Sequence, residues 1–169
     1  MHLTRFTDYG LRTLIYLALQ PDRLGQIREI AQAYNVSENH MIKVVHRLGQ
    51  SELIETIRGR NGGIRLARPA GEIRIGDVVR KMETDLTLVE CQGGGHCVIR
   101  GACRLELIVN EALGAMISVL DRYTLSDVAS PGGEVLFRRL RTILAIAEDP
   151  PQNEPRFEKS PNNTRSPGV

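Results

Sequence analysis

Apolar residues along this chain recur mostly with the period of a helix. Leu11, Leu14, Ile15, Leu17 and Ala18 form a largely apolar segment that stops before Pro21, with Thr7 and Asp8 ahead of it as cap-type residues. Ile27, Ile30, Ala31 and Tyr34 fall at i, i+3, i+4 and i+7, which predicts a helix over 26–34 with one buried face. After the short turn at Asn35 and Val36, Ser37 caps a third helix, where Met41, Val44, Val45 and Leu48 repeat the same spacing. The pattern then changes. Residues 53–58 read as a strand, 59–63 as a turn containing the Asn61-Gly62 hairpin signal, and 64–68 as a return strand stopped by Pro69. A short amphipathic helix is expected over 73–82. The longest periodic stretch runs through Leu105, Ile108, Val109, Ala112, Leu113, Met116, Ile117 and Leu120, and a capped helical turn follows at 124–128.

Two amphipathic helices joined by a tight turn make a helix-turn-helix unit, and a hairpin after them makes it a winged one. The expected fold is therefore mainly α with a small β-hairpin wing: a winged helix-turn-helix plus a long dimerisation helix. In such units the second helix enters the DNA major groove, and its early residues meet base edges. The polar positions of the third helix are Asn39, His40, Lys43, His46, Arg47 and Gln50. The wing carries Arg58, Arg60, Arg65 and Arg68 against Glu55. Ser37, Asn39, His40, Lys43 and Arg47 on the helix and Arg58, Arg60, Asn61 and Arg65 on the wing are the candidate contacts to double-stranded DNA. Either half alone could be an ordinary solvated surface; the two together point to DNA. The apolar stripe over 105–120 needs a partner surface, and a second copy of the chain on a palindromic site supplies one.

Charge modifies this picture slightly. Residues 1–70 hold ten Lys/Arg against six Asp/Glu, 71–130 hold six against nine, and 131–169 hold six against five. A basic first part beside an acidic middle suits nucleic acid at the first part. The expected divisions are 1–70 for the DNA-binding domain, 71–129 for a cysteine loop and the dimerisation helix, 130–148 for an extra helix after the Ser-Pro-Gly-Gly break, and 149–169 for a disordered tail.

All three cysteines lie in one stretch, Cys91, Cys97 and Cys103, with five residues between neighbours and three consecutive glycines in the first gap. A disulfide would leave one thiol over. The close pairs of a zinc finger are absent. Iron–sulfur clusters accept varied spacings and usually take four ligands, which three cysteines and one residue from elsewhere would satisfy. The loop alone leaves two readings open, a metal or cluster site and three unrelated thiols.

The apolar share of 41% and charged share of 25% are ordinary for a soluble globular protein. No apolar run is long enough to span a membrane, and the first residues lack a signal-peptide core, so the expected location is the cytoplasm, where thiols are kept reduced. No acid/base pair or nucleophile constellation stands out, and no enzymatic activity is expected. A small electron-transfer protein is a further alternative, but it would need neither a recognition helix nor a basic wing.

Several motifs together carry a resemblance. They are Leu3-Thr4-x-Phe6-Thr7-Asp8-Tyr9-Gly10-Leu11-Arg12, then Asn39-His40-Met41-x-Lys43, then Arg58-Gly59-x-Asn61-Gly62-Gly63-Ile64-Arg65-Leu66, then Ile73-Arg74-Ile75-Gly76-Asp77-Val78-Val79. The three cysteines and Tyr123-Thr124-Leu125 follow. Over about residues 1–129 the chain resembles the Rrf-type family of bacterial iron–sulfur transcription regulators, and within it the nitric-oxide-sensing repressors. The resemblance implies that Cys91, Cys97 and Cys103 bind an iron–sulfur cluster, 4Fe–4S favoured over 2Fe–2S. It also implies that an N-terminal aspartate, here Asp8, is the fourth ligand from the opposite subunit. Another branch of the family uses a histidine three residues after the last cysteine; that position is Glu106 here. His96, inside the loop, remains a rival ligand, and Asp8 a plain helix cap. The implied function is a repressor whose cluster, attacked by nitric oxide, controls operator binding. The alternative is a regulator of the same fold that senses iron–sulfur status or thiol oxidation.

Overall fold

The computed structural model describes residues 2–99 and 103–129, together with Val135 and Arg138. The rest of the segment expected over 130–148 to hold an extra helix, and the tail expected over 149–169, lie outside the described residues.

Helix α1, Arg5–Ala18, begins one turn before the sequence pattern suggests. Its cap is Thr4, not Thr7 or Asp8: the Thr4 hydroxyl accepts from the Thr7 N–H at 3.2 Å. Thr4 is fixed in turn by Glu83, whose Oε1 accepts from the Thr4 backbone N–H at 2.7 Å and from its hydroxyl at 3.1 Å. Thr7 is then fully buried inside the first turn, while Asp8 sits where a carboxylate favours the helix N-terminus.

Helices α2, Ile27–Ala33, and α3, Glu38–Gln50, meet at Asn35, whose φ of 51° is a left-handed conformation that asparagine tolerates. Ser37 caps α3 as expected, accepting from the His40 N–H at 3.3 Å. Ile30 and Ala31 face Met41, Val44, Val45 and Leu48, and this core takes in Leu14, Tyr16 and Leu17 of α1.

Strands β1, Ile54–Ile57, and β2, Gly63–Leu66, pair antiparallel from Ile54↔Leu66 to Ile57↔Gly63. Gly63 therefore belongs to the strand, and the connection is the five-residue loop 58–62, one residue earlier than the expected turn over 59–63. The positive φ falls on Gly59, at 119°. Gly62 serves close approach instead: a Cβ there would lie 2.2 Å from the Ile57 carbonyl oxygen. The wing is anchored at its base, where Gly25 and Ile64 exchange two backbone hydrogen bonds of 2.9 Å.

The core continues past residue 70. After a 3-10 turn at Ala70–Glu72, Ile73 and Arg74 stay extended because they pair with the chain at 123–125, so α4 is Ile75–Met82. The buried side chains of Ile73, Val78 and Met82, and of Leu125 on α6, Leu125–Ala129, join the same cluster as the helix-turn-helix. Thr124 and Asp127 form a reciprocal cap on α6, with the Thr124 N–H donating to Asp127 Oδ2 at 2.7 Å and the Asp127 N–H to the Thr124 hydroxyl at 3.3 Å.

Helix α5, Leu105–Leu120, is the exception to this packing: none of its residues is buried. Its far end is fixed on α4 by Arg80, which donates to both carboxylate oxygens of Asp121 at 2.7 and 3.0 Å. That pairing holds the Asp121 carboxyl below the usual range. Gly76 makes the approach feasible, since a Cβ there would lie 2.0 Å from Asp121 Oδ1. Leu105, Leu107, Ile108 and Val119 stay exposed. Among the described residues no helix is long and apolar enough to cross a membrane.

Candidate DNA interface and cysteine centre

Helix α3 has two opposed faces. Met41, Val44, Val45 and Leu48 point into the core, and Asn39, Ile42, Lys43, His46 and Gln50 are exposed on the other side. The wing presents Arg58, Arg60 and Asn61, all exposed. Arg65 is exposed too, but it stands directly across the hairpin from Glu55 and pairs with it at 2.9 Å. An exposed pair of this kind contributes at most about 1 kcal/mol and yields readily to a phosphate.

Two of the expected contacts are held differently. Arg47 is half-buried, and its Nε donates to the Lys81 carbonyl at 3.1 Å, while Lys81 Nζ donates to the Ser51 carbonyl at 2.8 Å. These bonds lock the end of α3 to α4. His40 turns inward. Its ring stands edge-on to Tyr9 at 5.4 Å and to Phe6 at 6.2 Å, and its Nε2 is buried with no hydrogen-bond partner among the described residues. His40 is thus a contact between α3 and the first turns of α1. Ile42 was not among the expected contacts, yet it lies on the outer face.

Asp8 is half-exposed on that same first turn of α1. Its Oδ1 accepts from Arg12 Nε at 3.0 Å. The Arg12 guanidinium lies 5.7 Å over the Tyr34 ring, and the Tyr34 hydroxyl donates to the Arg12 carbonyl at 3.1 Å. Burial, only partly opposed by Arg12, pushes the Tyr34 phenol up to about 12, so it stays a neutral donor.

Cys91 lies in the 3-10 turn Glu90–Gly93, and the chain reverses at Gly94, whose φ is 85°. The Gly95 N–H donates to the Glu90 carbonyl at 3.0 Å; a Cβ on Gly95 would come within 2.7 Å of that oxygen. Gln92, unnoticed in the sequence, pins the loop. Its Oε1 accepts from the Leu88 and Val89 N–H groups, and its Nε2 donates to Asn110 Oδ1 on α5 at 2.6 Å. Cys97 and Cys103 are half-buried free thiols. The Leu105 N–H donates to Cys103 Sγ at 3.4 Å, the kind of backbone contact that supports a metal-bound sulfur. His96 is exposed, as are its apolar neighbours Val98 and Ile99. Within one chain and among the described residues, no three His, Cys, Asp or Glu side chains form a metal group. The donor set of three sulfurs, close in sequence on a glycine-rich loop tied to α5, fits the soft-ligand chemistry of an iron–sulfur cluster.

Known proteins resemble this chain in sequence and in fold. The Rrf2 family model, described as an iron-dependent transcriptional regulator, matches residues 3–131. The HTH-type transcriptional regulator NsrR of Oceanobacillus iheyensis is 49% identical over 139 residues, which cover 80% of this chain and 95% of that one. NsrR of Bacillus subtilis is 48% identical over 139 residues, with the same coverage. Among solved structures, CymR, the global cysteine regulator of B. subtilis, superposes with a TM-score of 0.64 at 29% identity, covering 77% of this chain and 97% of CymR. IscR of T. potens has a TM-score of 0.63 at 23% identity, covering 80% and 90%, a likeness of fold alone. The winged helix-turn-helix is therefore the shared fold, and this chain belongs to the Rrf2 family of transcriptional regulators.

Proposed function

We propose that this chain is a homodimeric, DNA-binding repressor that responds to nitric oxide through an iron–sulfur cluster. The observation that carries the reading is the three-cysteine loop fastened to α5 in a chain about half identical to NsrR regulators over most of its length. Cys91, Cys97 and Cys103 would hold the cluster, and Asp8 of the partner subunit would complete it. When bound, the cluster supplies iron that reacts with nitric oxide. The exposed apolar residues of α5 support pairing with a second copy, which would set two recognition helices on a palindromic operator.

The chain's own residues supply a route between the two functions. An Asp8 that held the cluster would have to give up its bond to Arg12; without that demand the Asp8–Arg12 bond stands, and Arg12 leans on Tyr34 at the helix-turn-helix turn. The same turn of α1 carries Tyr9 against His40, in the first turn of α3. Glu83, at the start of the segment leading to the cysteine loop, holds the Thr4 cap of α1. What grips Asp8 thus bears on the seating of α3.

The test is anaerobic purification followed by absorption spectra and operator binding with and without nitric oxide. A brown protein containing iron and sulfide, whose spectrum collapses and whose DNA affinity falls on adding nitric oxide, is the expected result. A colourless protein with stoichiometric zinc sinks the cluster. The likeness to CymR, one relative of which is described in an oxidised form, favours thiol oxidation as the second reading. That reading expects a colourless protein whose DNA affinity responds to peroxide.

On the DNA side, Lys43 and Arg60 are exposed on the outer face of α3 and at the wing tip, with no ion-pair partner among the described residues. Replacing both with alanine should weaken binding to all sequences alike and lower the salt slope by about 0.9 for each phosphate left without its cation. An unchanged slope in a folded double variant would move the interface elsewhere.

A further inference from the structure

We propose that Ile42 reads the C5-methyl group of a thymine in each half-site; the inference rests on the DNA-binding reading above and adds to it a specificity determinant. Ile42 is 46% exposed, on a helix whose other large apolar residues Met41, Val44, Val45 and Leu48 are all buried. It stands outside that core stripe, on the flank of α3 next to Val45, and nearly half of it is open to solvent. Its neighbours on the outer face are Asn39, Lys43 and His46, every one polar and exposed. An isolated exposed isoleucine is unremarkable on an ordinary surface. Here it stands beside Asn39 and His46, one turn to either side, on the exposed part of the helix that a helix-turn-helix presents to the major groove.

The chemistry of the groove then selects the partner. Guanine offers two acceptors there, adenine an acceptor and a donor, cytosine a donor, and thymine an acceptor with a methyl group beside it. Isoleucine neither donates nor accepts. Pressed against guanine, adenine or cytosine it would strip water from polar atoms and return nothing, which is unfavourable. Against thymine it buries methyl on methyl. Its β-branch holds χ1 of a helical residue in essentially one rotamer, so the contact is formed with little loss of side-chain freedom. Lys43 beside it is suited to a guanine or a phosphate, and Asn39 to an adenine.

The test uses the full-length, cluster-loaded protein and a duplex selected with it from a random DNA library. Each thymine of a half-site is replaced in turn by uracil, which keeps the base pair and removes only the methyl group. At one thymine per half-site, wild type should bind about fourfold more weakly, the effect of one methyl-sized apolar contact. The same replacement should leave Ile42→Ala unaffected, and Ile42→Val should fall between. The exposed position keeps the fold safe, and unchanged thermal melting checks this. The inference is overturned if wild type has no uracil-sensitive position, or if Ile42→Ala retains the full sensitivity at every position. A library that yields no enriched sequence refutes the DNA-binding reading itself and takes this inference with it, a result distinct from either of those.

Discussion

Cys97→Ala should give a folded protein that emerges from anaerobic purification without the visible absorption of the wild type and binds operator DNA like the nitric-oxide-treated form. The expected loss of affinity is about 5- to 150-fold, the usual range for coupling between two sites. The fold should survive because Cys97 is only half-buried in a loop, and the core is built from α1 to α4, the wing base and α6. Melting temperature and circular dichroism would therefore stay close to wild type while iron and sulfide content fall. Cys103→Ala should behave alike with a small added cost, since the Leu105 N–H loses the sulfur it donates to at the start of α5. A Cys97→Ala protein with unchanged spectrum and iron content would remove this residue from the ligand set. A wild type that is colourless, but whose peroxide response vanishes in Cys97→Ala, would instead establish the thiol switch.

What the sequence made legible was local. The helix-turn-helix followed from the 3.6-residue spacing of Ile27 to Leu48 and from the Ser37 cap, because α2 and α3 pack through those same residues. The thiols of the loop were equally plain, being the chain's only cysteines. What stayed hidden depends on partners far along the chain. Thr4 outcompetes Thr7 and Asp8 as the cap of α1 because Glu83, 79 residues away, holds it in place. Ile73 and Arg74 remain outside α4 because residues 123–125 pair with them. The Asn61-Gly62 signal marked the hairpin correctly but not its loop, whose geometry is set by Gly59 and by the tight pass of Gly62 against Ile57. His40 reads as a polar surface residue until Phe6 and Tyr9 are seen against it. Ile42 was legible in principle: it falls outside the spacing of the buried residues of α3, so an apolar side chain there had to be exposed. The candidate cysteine site divides the same way, since three candidate donors lie in one stretch while a fourth from another element is something spacing cannot name.

Asp8 is where that fourth donor is expected, and its replacement separates ligand from cap. Thr4, not Asp8, caps α1, and the Asp8–Arg12 pair is half-exposed at an i, i+4 spacing. Such a pair contributes only about 0.3–0.5 kcal/mol to stability, less once solvent screening is counted. Asp8→Ala should therefore fold normally and keep three thiolate bonds, but show an altered spectrum and a weaker link between cluster state and DNA affinity. An Asp8→Ala spectrum identical to wild type would leave His96 as the ligand to examine next. Mixed dimers decide which subunit's aspartate is used. One subunit carries Asp8→Ala with its cysteines intact, and the other carries Cys91→Ala, Cys97→Ala and Cys103→Ala with Asp8 intact. If the ligand crosses the interface, the intact cysteines and the intact Asp8 meet at one complete site, and the mixed dimer holds half the wild-type cluster content with a wild-type spectrum. If Asp8 serves its own subunit, no site is complete, and the mixed dimer shows only the altered spectrum of Asp8→Ala.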